Sequence, residues 1–106
     1  MTLQERLRNI KLLVLDHDGV LTDNTVYVNE RGEETCRYNR SDGLGIQRLQ
    51  KLGVEVICIS TEPNPVVSKR CEKLKIPCYQ GISNKLECLS GVGIMKHARF
   101  AEIAYV

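Results

Sequence analysis

The chain has 106 residues, with 15 Lys and Arg against 13 Asp and Glu, 42% hydrophobic residues, five Cys and no Trp. That length suits a single domain spanning residues 1–106 with one modest core, since domains usually run to about 100–200 residues. A net charge of +2 with scattered basic residues argues against a nucleic-acid partner or a polybasic membrane surface, and no apolar run approaches the roughly 20 residues of a bilayer span.

The opening MTLQERLRNIK lacks the apolar stretch of a signal peptide. Ile10–Leu15 is short and almost wholly apolar, as in a strand buried on both faces, and it ends in Asp16-His17-Asp18-Gly19. Thr25–Val28 and Glu34–Tyr38 flank Asn29-Glu-Arg-Gly32, which predicts a β-hairpin over 25–38. Ser41-Asp42 can cap a helix carrying Leu44, Ile46, Leu49 and Leu52 and stopping at Gly53. Val54–Ile59 is a second buried strand, and the turn Ser60–Pro65 leads into a helix reaching about Leu74. Ile76–Tyr79 is a short third strand, in which Pro77 points to an edge strand or to a strand start. A helix from Ser83, weakened by Gly91 and Gly93, precedes a fourth strand at Ile103–Val106.

Alternating strands and helices predict an α/β fold, a parallel sheet with right-handed crossovers and helices on both faces. Ligands of such sheets bind beyond the carboxyl ends of the strands. That rule directs attention to 16–22, 60–62 and 80–85. Cys36, Cys58, Cys71, Cys78 and Cys88 are odd in number without a C-x-x-C pair, which predicts free thiols in a reducing, cytoplasmic setting. His17 and His97 lie far from any Cys pair, so a zinc site is not expected.

Asp16 and Asp18 are two residues apart, and continued strand geometry would turn both side chains one way. Such a pair suits a hard divalent cation, or a split between an ionised nucleophile and a neighbour that holds a proton. The same pattern also serves plain turn chemistry. An EF-hand loop is excluded, because Gly19 sits at the wrong position and Tyr27 takes the slot of the bidentate Glu. Gly19 permits a tight turn, Ser60 offers a hydroxyl to a phosphate oxygen, and Lys85 offers a point charge to phosphate and nucleophile alike.

Leu-Leu-Val-Leu-Asp16-His-Asp18-Gly-Val-Leu-Thr22, Ser60 after the second strand and Lys85 in Tyr-Gln-Gly-Ile-Ser-Asn-Lys-Leu form an ordered set. The set resembles the first three motifs of the haloacid dehalogenase superfamily of phosphohydrolases. The hairpin, Asn39-Arg-Ser-Asp-Gly-Leu-Gly-Ile46 and Tyr79-Gln-Gly81 resemble its capless 3-deoxy-D-manno-octulosonate 8-phosphate phosphatase branch, from about Ile10 to Val106.

The resemblance implies a Rossmann-like three-layer fold with the hairpin as a flap. It implies Asp16 as nucleophile, Asp18 as general acid and then base, Lys85 as phosphate clamp, and Mg²⁺ held by Asp16 and the Asp18 carbonyl. It also implies a homotetramer acting on a small phosphorylated 2-keto-3-deoxy sugar acid. Where that branch has Thr-Gly-Arg, this chain has Ser60-Thr61-Glu62; losing the Arg removes a bidentate anion clamp. Glu62 with Lys73 instead resembles a pair in the 2-keto-3-deoxynononate 9-phosphate phosphatases, although a carboxylate at a helix start is also favoured by the dipole alone. His17 stands where the family tends to be apolar, and strand alternation predicts that it points away from both aspartates and packs. In the family the last strand runs on into an acidic motif, whereas Val106 is the last residue here, so a longer natural chain is expected. The competing expectation is a non-catalytic assembly domain, as attached to some acylneuraminate cytidylyltransferases.

Overall fold

The computed structural model describes residues 1–106. A short helix, α1 (Leu3–Arg8), precedes β1 (Leu12–Leu15). Then come β2 (Thr22–Val28), β3 (Glu34–Tyr38), α2 (Ser41–Lys51), β4 (Glu55–Ile59), α3 (Val66–Leu74), β5 (Cys78–Tyr79), α4 (Lys85–Met95) and β6 (Ile103–Tyr105). The four parallel strands run in the order β5-β4-β1-β6, so β5 is an edge and β1 and β4 are central.

Strand alternation sorts the core into two layers. Leu15, Val56 and Cys58 face one way and pack with Ile46 of α2 and Val67, Cys71 and Leu74 of α3. Leu12, Val14, Ile57 and Ile59 face the other way and pack with Val92 of α4. Near-continuous apolar strands are what burial on both sides demands. All five cysteines are free. Cys71 has its thiol pushed well up by its hydrogen bond to Cys58 and by burial, and burial pushes Cys78 up to about 12, which marks both as inert packing groups. No helix is long and apolar enough to cross a membrane.

The hairpin β2–β3 stands apart as a two-stranded antiparallel sheet. It begins at Thr22, three positions earlier than the β-propensity of 25–28 suggests, because a bulge between Thr22 and Val26 lets the irregular start pair with Tyr38. Asp23 and Arg37 form an ion pair across it.

Some boundaries differ from the sequence reading for identifiable reasons. Helix α1 was not expected; a capping box, Thr2 accepting from the Glu5 N–H while Glu5 accepts from the Thr2 N–H, stabilises its first turn. Ser41 does not cap α2: its N–H donates instead to Asn39 Oδ1 at 2.8 Å, and the N-cap Arg40 offers no side-chain bond. Asn84 caps α4 by accepting from the Glu87 N–H, so that helix starts at Lys85 rather than Ser83. Its interior tolerates Gly93, where a Cβ would press to 3.2 Å from the Ala98 carbonyl.

Candidate active site

Hydrogen bonding between strands leads several polar residues to one end of the sheet. The Asp16 N–H donates to the Val106 carbonyl at 2.9 Å, and the Ser60 N–H donates to the Tyr79 carbonyl at 2.8 Å, which pins the residues immediately after β1 and β4. Lys85 is the first residue of α4 on the adjoining connection. Its ammonium lies 3.1 Å from Asp16 Oδ2, with both side chains roughly two-thirds buried. Burial pulls the Lys85 pKa down, but its hydrogen bonds to Asp16 and Tyr105 outweigh that and leave it above the ordinary lysine value. Lys85 is therefore a fixed positive charge at neutral pH. Asp16 Oδ1 accepts from the His17 N–H at 2.7 Å, so the carboxylate is held at both oxygens.

The chain turns sharply after Asp16. The N–H groups of Val20, Leu21 and Thr22 converge on the His17 carbonyl at 3.0–3.3 Å, and Gly19 takes φ +80°, a conformation that glycine adopts without the Cβ penalty. Thr22 Oγ1 accepts from the N–H groups of Gly19 and Asn24. The Asp18 carbonyl takes no hydrogen bond from the protein. Together with the Asp16 carboxylate it supplies oxygen donors of the kind a hard divalent cation prefers. No cluster of three or more His, Cys, Asp or Glu side chains able to hold a metal forms; the donor pair fits a cation that completes its shell with water or substrate oxygens.

Extended geometry ends at Leu15, so alternation does not govern residues 16–18, and the expected orientation of His17 is overturned. Its ring is fully buried, yet it faces Asp18, with Nδ1 2.7 Å from Asp18 Oδ1 and Nε2 2.8 Å from the Tyr38 hydroxyl. Burial, with Cys36 second, pushes the Tyr38 phenol well above its ordinary range, and the Arg70 guanidinium lies 4.8 Å over its ring. Tyr38 ends β3, so the hairpin reaches the candidate site through His17.

Ser60 is 1% exposed, its Oγ accepting from the Glu62 N–H at 3.1 Å. Thr61 is exposed beside it. Glu62 Oε1 accepts from the Asn64 N–H, and the Glu62 carbonyl accepts from Gln80 Nε2, fixing the loop against the β5 edge. Glu62, Asn64, His17 and Asp18 line a cleft of about 210 Å³ with Thr25, Val26, Glu34 and Cys36 of the hairpin. Lys73 does not join them. It is exposed near the far end of α3 and forms no ion pair with Glu62, because the helix carries it about 10 Å along its axis from Val66. The structure thus gathers Asp16, Asp18, Gly19, Ser60, Glu62 and Lys85 around one end of the sheet, excludes Lys73, and adds His17 and Tyr38. A histidine between two aspartates was the available signal for the last two.

No family model matches the chain. Individual proteins do. It is 42% identical over 86 residues to the 3-deoxy-D-manno-octulosonate 8-phosphate phosphatase of Escherichia coli, covering 80% of this chain and 46% of that protein. A Legionella pneumophila structure assigned to subfamily III A of the haloacid dehalogenase (HAD) superfamily matches with a TM-score of 0.92 and 33% identity, over 97% of this chain and 57% of that one. The 3-deoxy-D-manno-octulosonate 8-phosphate phosphatase of Moraxella catarrhalis, solved with a magnesium ion, a phosphate ion and a KDO molecule, matches with a TM-score of 0.88 and 31% identity, over 95% of this chain and 59% of that one. The chain spans about half the length of the curated relatives it matches. On this agreement of sequence and backbone, the chain belongs to the haloacid dehalogenase superfamily, in the group that contains the 3-deoxy-D-manno-octulosonate 8-phosphate phosphatases.

Proposed function

We propose that the protein is a Mg²⁺-dependent phosphatase of a phosphorylated 2-keto-3-deoxy sugar acid, of the octulosonate 8-phosphate or nononate 9-phosphate type. The observation that carries this reading is the Lys85 ammonium 3.1 Å from Asp16 Oδ2 at the carboxyl end of a central strand, with Asp18 on the next turn. A purely structural domain has no use for a charged pair roughly two-thirds buried there, which weighs against the assembly-domain alternative. The similarity to octulosonate phosphatases supports the substrate class.

In this reading an Asp16 carboxylate oxygen attacks phosphorus. The ester P–O bond breaks as Asp18 gives its proton to the departing alkoxide. Water then attacks the aspartyl-phosphate, Asp18 takes its proton, and the Asp16–phosphate bond breaks to return the carboxylate and release inorganic phosphate. Lys85 stabilises charge on the transferring group, and the buried Ser60 hydroxyl holds a phosphate oxygen. Mg²⁺, held by the Asp16 carboxylate and the Asp18 carbonyl, supplies charge neutralisation at the phosphoryl group when bound. Glu62, which lines the cleft, and the exposed Thr61 beside it in sequence are the residues offered to the sugar acid.

The hairpin acts as a flap over that cleft. Its exposed Val26, Tyr27 and Val28 support burial against other copies in a homotetramer, since a two-stranded sheet is marginal alone. The predicted free thiols support a cytoplasmic site of action. Phosphate release from eight- and nine-carbon substrates with and without Mg²⁺ tests the proposal; release that is unaffected by chelation, or absent for every sugar-acid phosphate, counts against it.

A further inference from the structure

A fully buried histidine has to satisfy both ring nitrogens, and His17 does so with two partners of different kinds. The Tyr38 hydroxyl has two acceptors in reach, His17 Nε2 at 2.8 Å and the Val66 carbonyl at 3.5 Å. The shorter contact takes its proton. Nε2 is then the acceptor, which assigns the ring proton to Nδ1, 2.7 Å from Asp18 Oδ1. The Tyr38 ring is itself clamped, edge-on to His17 at 5.7 Å and under Arg70, whose Nη donates to the Asn39 carbonyl. The chain Arg70–Tyr38–His17–Asp18 therefore runs from α3 through the end of the hairpin to a carboxyl that is half exposed to the cleft.

We propose that His17 is a positioning residue for Asp18, and that Tyr38 is the group that sets its tautomer. This assignment rests on the phosphatase reading above and deepens it. Nδ1–H occupies Oδ1 as an acceptor, whether Asp18 is protonated or not, and so fixes the carboxyl rotamer. Oδ2 is left as the atom that gives a proton to the departing alkoxide and receives one from the attacking water. A carboxyl on a turn residue, with half its side chain in solvent, otherwise samples several rotamers, and acid–base efficiency depends on the donor lying within hydrogen-bond reach of the reacting oxygen.

The test is a leaving-group comparison on the full chain with Mg²⁺. A sugar-acid phosphate has an alkoxide leaving group that needs a proton, whereas p-nitrophenyl phosphate has one that departs without it. His17→Val should lower kcat on the sugar-acid phosphate about tenfold or more, the usual effect of removing a group that orients an active-site side chain. Its KM and the first-turnover burst of p-nitrophenolate, which precedes the water step, should change little, whereas the water step is shared by both esters and slows for both. Tyr38→Phe should show the same split in smaller measure. His17→Asn, whose amide N–H can still donate to Asp18, should recover most of the lost turnover. The ¹⁵N shifts of His17 should place its proton on Nδ1. Equal losses in first-turnover phosphoryl transfer from the two esters, no loss in His17→Val, or a proton on Nε2 each overturn the assignment while leaving the phosphatase reading intact. A chain that hydrolyses neither ester sinks that reading and this assignment with it.

Discussion

Ile57 and Ile94 are the same residue in opposite surroundings, and truncating each to Ala measures how the site's platform is held. Ile57 lies on β4, wholly buried among Leu12, Val14, Ile59 and Val92, on the face that α4 covers. Ile94 lies on α4 itself but is 78% exposed. Ile57→Ala removes Cγ1, Cγ2 and Cδ1 from that layer, a transfer loss of about 2.4 kcal/mol at ~0.8 kcal/mol per buried carbon. The partly unfilled cavity raises the cost to about 3–4 kcal/mol. Against a total stability of about 5–15 kcal/mol this is a large fraction, and it lowers Tm by roughly 12–32 °C at ~4–8 °C per kcal/mol. Ile94→Ala should cost under about 0.5 kcal/mol, as an exposed truncation does. Urea unfolding followed by circular dichroism, at unchanged m-value, reads both. Equal costs for the two substitutions would refute the layer assignment, and with it the claim that packing of α4 on β1 and β4 brings Lys85 to Asp16.

Other outcomes follow from particular contacts. Glu102 is held down to about 2 by Lys11, then by the Arg99 N–H and guanidinium; an unfolded Glu protonates near ~4.3. Its contribution is therefore present above about pH 4.3 and lost as pH falls toward 2, so Glu102→Gln should flatten the acid limb of stability against pH, and superimposable limbs would contradict this. Gly19→Ala forces a side chain into φ +80° and should cost about 1–2 kcal/mol, whereas Gly45→Ala, in α2 with open space around it, should stabilise by about 0.5–1 kcal/mol; thermal melts of the pair should move in opposite directions. Lys85→Met should retain the fold and lower phosphate release by about 10²–10³-fold, and a loss below threefold would remove Lys85 from the proposed chemistry.

The layered sheet was legible because its signal is local: the apolar runs at 10–15 and 54–59 stay apolar for burial on both faces, and turns at Ser60 and Pro65 mark the crossover. Asp16, Ser60 and Lys85 were legible because strand ends and a helix start fix where they lie. Residues 17 and 73 were not. The direction of His17 depends on where β1 stops, and that is decided by the turn in which three N–H groups converge on the His17 carbonyl, a contact with no period in the sequence. Lys73 was linked to Glu62 by likeness to another group, while the direction of α3, set by packing of Val67, Cys71 and Leu74, takes it away from the strand ends. Tyr38 meets His17 across 21 residues, a pairing that only the hairpin's course can bring about.

The central claim is that Asp16 carries the phosphoryl group, and trapping that group tests it most directly. The protein is mixed with a ³²P-labelled sugar-acid phosphate and Mg²⁺, quenched in acid and digested. The account predicts an acid-stable, hydroxylamine-labile label on the peptide containing Asp16, with both label and phosphate release lost in Asp16→Asn. Undiminished phosphate release from Asp16→Asn, with no label on that peptide in the parent chain, would contradict it.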